Sequence, residues 1–152
     1  MNFPLAPNPK GDRAVAVLIS IQSRYVRAIL DGSKTIELRR KVPRNALGMP
    51  LIVYSSGEDR AVTAQAVIVG IASDTPQRIW EKYADALGIT EATFMEYFDG
   101  ASVAFALHLG SVTASQRPLP LHELRSDHGI EPPQSWRYLQ KEPYTRLVDS
   151  VG

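Results

Sequence analysis

The sequence predicts an α+β fold in which a small, mostly antiparallel sheet, curled or closed into a barrel, has its helices packed on the outside. Apolar, β-branched segments typical of strands lie towards both ends of the chain and enclose one early helix and a central pair of helices. The strands are too irregularly spaced for βαβ winding, and no glycine-rich phosphate loop follows the first of them. Antiparallel pairing is therefore favoured over a doubly wound parallel sheet.

The composition is that of an ordinary globular domain, with 44% hydrophobic and 22% charged residues among 152. Residues 1–13 are polar and rich in proline, so we expect a flexible leader before a single domain at 14–152. The leader lacks the apolar core of a signal peptide, and no apolar run approaches the roughly 20 residues of a membrane helix. These features favour a cytoplasmic protein with no membrane partner. The chain has no cysteine, which excludes disulfides, cysteine-ligated zinc and a cysteine nucleophile.

A short helix followed by the start of a strand is predicted in residues 20–44. Ser23 is a suitable N-cap, because its hydroxyl can accept a backbone N–H left free at a helix start. Gly32 suits the left-handed residue that ends a helix. Residues 35–39 alternate as a half-buried strand, which turns its charged side chains away from the core. The helical spacing predicts a core-facing set made up of Tyr25, Val26, Ile29 and Leu30.

Positive charge is concentrated in the same segment. Seven lysines and arginines between Arg24 and Arg44 stand against two acids and give a local charge of +5, whereas the whole chain carries +1. The predicted helical pair between Asp74 and Asp99 carries −4 in turn. A local positive patch favours an anionic partner such as nucleic acid. The asymmetry predicts that this partner binds on the side away from the helical pair.

Cap and turn signals predict the remaining elements. The run Asp74-Thr75-Pro76 is a strong helix start, and Thr90 begins a second helix. Gly70, inside a long strand, indicates a bulge. Residues 101–112 alternate as a strand whose predicted buried face consists of Val103, Phe105, Leu107 and Leu109. Further strands are expected at 14–21, 51–55 and 61–72.

Several short motifs resemble the ASCH domain family. The mark of that family, a G-x-K-x-x-E-x-R segment, is present here as Gly32, Lys34, Glu37 and Arg39. The tail 132–138, with the sequence Pro-Pro-Gln-Ser-Trp-Arg-Tyr, resembles the closing segment of a bacterial and archaeal subgroup. The likeness extends over nearly the whole chain after residue 13, and the further residues that carry it are Ile19-Ser20-Ile21, Tyr25, Ile29, Leu30 to Thr35 and Arg40.

The resemblance implies a PUA-like β-barrel fold, related to the EVE and YTH domains. It also implies binding of RNA, of a modified nucleobase or of a nucleotide, and a few members are described as ribonucleases or as amidohydrolases acting on acylated cytidine. No cofactor is implied. The sequence leaves open whether the ligand is RNA, DNA, a modified base or a free nucleotide.

The motif supplies the first candidate site residues, Lys34, Glu37, Arg39 and Arg40, as the lining of a basic cleft. Lysine and arginine can bind phosphate, and Glu37 can either pair with Arg39 or accept from an exocyclic amine. The alternative is a solvated strand face with a weak ion pair. Family context favours the binding interpretation.

Other candidates lie before and after the motif. Tyr54 and Ser55 at a strand end offer an aromatic ring and a hydroxyl to a base, and the helix start adds Ser23 and Arg24 to the candidate binding residues. The tail adds Ser135, Trp136 and Arg137, where an aromatic ring beside a cation can stack on a base and pair with phosphate. We expect Ser135 or Trp136 to lie across the cleft from Lys34 or Glu37. The alternative is that the tail only closes the fold.

Whether the chain is an enzyme is left open by the sequence. The amidohydrolase members use a threonine nucleophile three residues after the motif lysine, where this chain has Glu37, and a carboxylate cannot replace that hydroxyl without a change of mechanism. A metal-independent ribonuclease needs a general base and a cationic stabiliser, which Glu37 and Lys34 could supply. Binding is therefore the favoured function and a small hydrolase the alternative. No metal site is expected, because the histidines lack supporting cysteines.

Overall fold

The computed structural model describes residues 13–152, so the leader expected at 1–13 lies almost wholly outside the described residues. One six-stranded sheet and five α-helices make up this part of the chain. In chain order the elements are β1 (Ala14–Gln22), α1 (Ser23–Asp31), β2 (Ile36–Arg39), β3 (Pro50–Ser56), β4 (Ala61–Asp74), α2 (Pro76–Tyr83), a 3-10 turn (Ala84–Ala86), α3 (Glu91–Tyr97), β5 (Ala104–Pro120), α4 (Leu121–His128), β6 (Trp136–Gln140) and α5 (Lys141–Val151).

The strand order across the sheet is β2-β5-β4-β3-β1-β6. Every neighbouring pair is antiparallel except β1 and β3, which run parallel and are connected through α1 and β2. The predicted α+β class and the mostly antiparallel pairing are confirmed. The closed barrel is not, because β2 and β6 remain as two edges that no ladder of backbone hydrogen bonds joins in the described chain.

The two edges of the sheet nevertheless meet through side chains. Arg39 at the end of β2 donates to the Ser135 hydroxyl at 3.0 Å. The Trp136 indole N–H donates to the carbonyl of Lys41 at 3.3 Å, and the Tyr138 hydroxyl bonds the carbonyl of Arg44 at 2.9 Å. The sheet is thus curled, and the residues just before and within β6 face the residues at and after the end of β2.

Local sequence signals explain the boundaries of several elements. Gly32 ends α1 in the left-handed conformation, with φ of 88°. Thr75 caps α2 by accepting from the Arg78 N–H, and Thr90 caps α3 in the same way. The register of β4 shifts between Ile68 and Gly70, as the predicted bulge requires.

Ser23 differs from its predicted capping role. It is the first residue of α1, and Gln22 occupies the cap position without a side-chain bond. The buried Ser23 hydroxyl instead donates to the carbonyl of Ser56 at 2.8 Å and accepts from the Asp59 N–H at 3.0 Å. Because Ser56 ends β3 and Asp59 lies in the turn that follows it, Ser23 joins the helix start to the sheet.

Three apolar clusters form the core. One lies on the concave side of the sheet beneath α1, a second packs under α4 and α5, and a third fills the space between β2, β5, α2 and α3. The predicted buried face of β5 is wrong at Val103, which precedes the strand and is 40% exposed, whereas Ala104 and Ala106 are fully buried under the helical pair. Leu30, predicted to face the core, is also exposed. No helix within residues 13–152 is long and apolar enough to cross a membrane.

Candidate functional site

A cleft of about 560 Å³ opens between α1, α3 and the loop 132–134. The end of β1 and the side chains of β2 form its floor. The size and concave shape suit one or two small ligand groups rather than a flat surface contact. The lining residues are Ser20, Ile21, Gln22, Arg24, Tyr25, Lys34, Glu37, Leu38, Arg39, Tyr54, Ser56, Ile89, Thr93, Glu96, Tyr97, Pro132, Pro133 and Gln134.

The floor holds a chain of three charges. Glu37 is only 7% exposed, and its Oε2 accepts from Arg39 Nε at 3.0 Å and from Arg39 Nη2 at 2.7 Å. Its Oε1 lies 3.6 Å from Lys34 Nζ. Strand alternation produces this arrangement, because Ile36 and Leu38 fill the cluster under the helical pair while Glu37 points to the opposite face.

Arg39 has few donors left for a ligand. Besides Glu37, its Nη2 donates to the Ser20 carbonyl at 2.8 Å and its Nη1 to the Ser135 hydroxyl at 3.0 Å. The Ser135 carbonyl in turn accepts from the Ser20 N–H at 2.9 Å. Arg39 therefore holds Glu37 in place and ties β2 to β1 and to the tail.

Lys34 is buried to an unusual degree for a lysine, with 3% of its surface exposed. Its ammonium donates to the Leu87 carbonyl at 2.7 Å and lies 5.5 Å from the centre of the Tyr25 ring. Burial lowers the pKa of Lys34 below the usual lysine range, and the neighbouring Glu37 carboxylate opposes that shift. The floor of the cleft thus presents an amine that releases its proton more readily than an ordinary lysine.

The lowered pKa of Lys34 predicts a pH dependence of stability. The folded state loses this proton at a lower pH than the unfolded chain does, so between the two pKa values the unfolded chain binds more protons. The contribution of Lys34 to the free energy of unfolding therefore rises with pH in that alkaline window. We expect the unfolding free energy of the wild type, minus that of Lys34→Met, to rise as denaturant titrations move from neutral to alkaline pH. A difference that stays flat would contradict the lowered pKa.

The rim of the cleft offers a cation and aromatic rings. Arg24 is exposed, and its guanidinium carbon lies 4.6 Å from the centre of the Tyr25 ring. Tyr54 lines the cleft while its body is buried in the core under α4 and α5. On the opposite wall Tyr97 is exposed, and Glu96 adds an acceptor. These groups provide stacking surfaces and an exposed cation around the charged floor.

The structure brings together some of the predicted site residues. Arg24, Lys34, Glu37, Arg39 and Tyr54 line the cleft, and Ser135 contacts its floor through Arg39.

The other predicted site residues lie outside that lining. Ser23 and Ser55 are buried with their hydroxyl oxygens 3.0 Å apart, and the Ser55 hydroxyl lies within hydrogen-bond distance of the Asp59 carboxylate. Arg40 donates to the backbone carbonyls of Tyr97 and Asp99. Trp136 is half-buried against the concave cluster, and Arg137 is exposed on β6.

Sequence reasoning missed one wall of the cleft. The acidic charge of the helical pair predicted that an anionic ligand would bind elsewhere, yet α3 lines the cleft with Thr93, Glu96 and Tyr97. The sequence analysis also assigned Tyr25 to the core. This half-buried ring packs on the concave cluster and lines the cleft as well. The available signal was the position of Arg24 and Tyr25 in the helix just before the family motif.

In the described part of the chain, no group of three or more histidine, aspartate or glutamate side chains is placed to hold a metal ion.

Comparisons with known proteins agree with this fold. Residues 14–125 match a family described as a domain of unknown function (DUF365). The chain is 31% identical over 138 residues to an ASCH domain-containing ribonuclease of Zymomonas mobilis subsp. mobilis, an alignment that covers 90% of this chain and 92% of the relative.

Solved structures give the same picture. The crystal structure of the ASCH protein from Zymomonas mobilis matches with a TM-score of 0.85 at 28% identity, covering 91% of this chain and 96% of that one. Two single-residue variants of that protein match equally well at 27% identity. One has a tyrosine changed to phenylalanine and the other a serine changed to alanine. The N-terminal domain of Staphylothermus marinus McrB shares the fold alone, with a TM-score of 0.57 at 13% identity over 91% of this chain and 95% of that domain. The sequence and structural matches extend over nearly all of the described residues, and the chain belongs to the ASCH domain family.

Proposed function

We propose that the protein binds an unpaired segment of RNA in the cleft and cleaves it. The observation that carries this proposal is the buried chain of Lys34, Glu37 and Arg39 at the floor of a cleft whose rim offers Arg24 and tyrosine rings. A ribonuclease is also named among the relatives of similar length. A cleft of about 560 Å³ suits a single splayed-out nucleotide better than a stacked duplex. Proteins usually read RNA bases in such unpaired segments.

The chemistry that suits these residues is transfer of the phosphate to the neighbouring 2′-hydroxyl. Glu37 Oε1, which lacks the two short bonds made by Oε2, accepts the proton of the 2′-hydroxyl. The 2′-oxygen forms a bond to phosphorus, and the bond from phosphorus to the 5′-oxygen breaks. Lys34 gives a proton to that leaving oxygen, and its positive charge stabilises the phosphorane-like transition state. The products are a 2′,3′-cyclic phosphate and a 5′-hydroxyl.

After the reaction Glu37 is protonated and Lys34 is neutral. The two groups are 3.6 Å apart and can restore their charges by proton exchange, directly or through water. The lowered pKa of Lys34 suits this role, because a lysine with an ordinary pKa is a poor proton donor near neutral pH.

The amidohydrolase alternative has less support. The position three residues after Lys34 is Glu37, and that carboxylate is bound to Arg39 rather than poised as a nucleophile. Thr35 follows Lys34 directly, but it is exposed and its backbone is bonded to Ala86 and Leu109. Incubation with N-acetylcytidine would reveal such an activity by release of acetate, and we expect none.

The test of the proposed function compares a labelled single-stranded RNA with a DNA of the same sequence. We expect both to bind and only the RNA to be cleaved, because DNA lacks the attacking 2′-hydroxyl. The cleaved RNA should carry a cyclic phosphate, and cleavage should persist in the presence of a chelator. Cleavage of the DNA at a similar rate, or RNA products with a 3′-hydroxyl, would contradict the proposed chemistry.

Arg24 is expected to contribute a contact to the RNA backbone. Its guanidinium is exposed at the rim, where it contacts the Tyr25 ring and has no ion-pair partner among residues 13–152. Arg24→Ala should therefore lower the slope of log affinity against log salt by about 0.7, the value for one phosphate contact on a single strand. The matched control is Arg78→Ala on α2, where the side chain is 73% exposed and outside the cleft lining. Equal effects of the two changes would mean that binding is diffuse.

A further inference from the structure

We propose that Gly88 is a positioning residue: the backbone of residues 86–88 lies against the Lys34 side chain and fixes its ammonium at the floor of the cleft. This inference rests on the proposed function for the role of Lys34 in cleavage. The placement of the lysine itself is a separate claim, which is measured without RNA.

The contact between the loop and the lysine is close along the whole side chain. A methyl group built on Gly88 would lie 2.8 Å from Lys34 Cβ, 3.2 Å from Cγ and 3.3 Å from Cδ. At the far end, the Leu87 carbonyl accepts from Nζ at 2.7 Å. At the near end, the Thr35 N–H donates to the Ala86 carbonyl at 3.0 Å. Backbone carbonyls of the loop therefore accept from the Lys34 ammonium at one end and from the N–H of the next residue, Thr35, at the other. Between these two bonds, Gly88 lies against the lysine side chain.

Position 88 carries two requirements that only glycine meets without strain. Its φ is +67°, in the left-handed region that side chains with a Cβ disfavour, and it has no room for a Cβ. The two requirements can be separated, because other glycines have only the first. A methyl group on Gly129, where φ is +63°, would meet nothing within 4 Å.

Displacement of the Lys34 chain would admit water to the ammonium. The charged and titratable groups around it are Glu37 and Arg39 on β2, Tyr25 on α1, and Arg24 and Glu96 at the rim. Since burial is the main cause of the lowered pKa of Lys34, a variant that exposes the amine should move that pKa up towards the ordinary lysine range.

The test compares Gly88→Ala and Gly88→Asn with the matched control Gly129→Ala. Asparagine tolerates the left-handed region better than alanine, so Gly88→Asn keeps the steric contact with less backbone strain. NMR titration of the lysine side-chain signals, with Lys34→Met to assign the signal of Lys34, reports its pKa. We expect both Gly88 variants to raise this pKa and Gly129→Ala to leave it unchanged. The kcat for RNA cleavage should fall about 10- to 100-fold in the Gly88 variants, with a smaller change in KM.

Each result decides a different claim. If Gly88→Asn folds and the Lys34 signal titrates as in the wild type, or if Gly129→Ala shifts it equally, the positioning role is wrong. If the pKa rises in the Gly88 variants while the pH profile and kcat of cleavage do not change, Gly88 positions Lys34 but the catalytic role of that lysine fails. A loss of thermal stability shared by Gly88→Ala and Gly129→Ala measures the backbone strain alone.

Discussion

Replacement of Glu37 by alanine is expected to lower the free energy of unfolding by about 3–5 kcal/mol, the usual cost of removing one partner from a buried ion pair. The change leaves Lys34 and Arg39 without their shared carboxylate at a cleft floor where both cationic side chains are largely buried. Neither cation can leave easily, because Lys34 is bonded to the Leu87 carbonyl and Arg39 is bonded to Ser20 and Ser135.

Glu58→Ala is the matched control for that measurement. Glu58 also pairs with an arginine, at 3.0 Å from Arg27, but both side chains are largely exposed. Its removal should cost less than about 1 kcal/mol in the same denaturant titration. If the two substitutions cost the same, the floor of the cleft is more hydrated than its burial indicates.

The second large effect is expected on catalysis. Lys34→Met removes the only described lysine in the cleft lining while keeping an unbranched side chain of similar length. We expect kcat for RNA cleavage to fall about 100- to 1000-fold, because both the proton donor and the positive charge are lost. Lys34→Arg should not restore the rate, since a guanidinium does not give up its proton near neutral pH.

Lys41→Met is the control for the loss of a lysine. Lys41 is exposed just after β2 and lies outside the cleft lining. Its backbone carbonyl accepts from the Trp136 indole N–H, a bond that the substitution leaves in place. Cleavage should be unchanged in this variant. A Lys34→Met protein that is folded and still cleaves RNA at the wild-type rate would remove Lys34 from the mechanism.

Much of the fold was predictable because its signals are local. Gly32, Thr75 and Thr90 end or begin helices through their own backbone and hydroxyl chemistry, and Gly70 marks the bulge in β4. The order of the strands depends on which distant segments meet, so the parallel pairing of β1 with β3 could not be predicted from the sequence. Nor was α5 (Lys141–Val151), which carries a proline in its first turn and lies in a polar segment.

The site was predictable where a motif fixed the residue types and not where distant elements meet. The motif identified Lys34, Glu37 and Arg39, but not that Glu37 would be buried with both cations bound to it. Net charge by segment did not indicate that α3 lines the cleft, because a helix with an acidic surface can still turn Thr93 and Tyr97 towards it. Trp136, expected as a stacking wall, donates to Lys41 instead, and its predicted contact with a base stays a prediction.

The most direct test of the central claim is to observe where RNA binds. A single-stranded oligonucleotide with 2′-O-methyl groups cannot be cleaved by attack of the 2′-oxygen, so its complex persists during an NMR titration. We predict shift changes at the side chains of Lys34, Arg24 and Tyr97, which lie on the floor and the two walls of the cleft. Saturable binding that leaves these signals unchanged, with shifts instead around exposed Arg137 on β6, would contradict the assignment of this cleft as the RNA site.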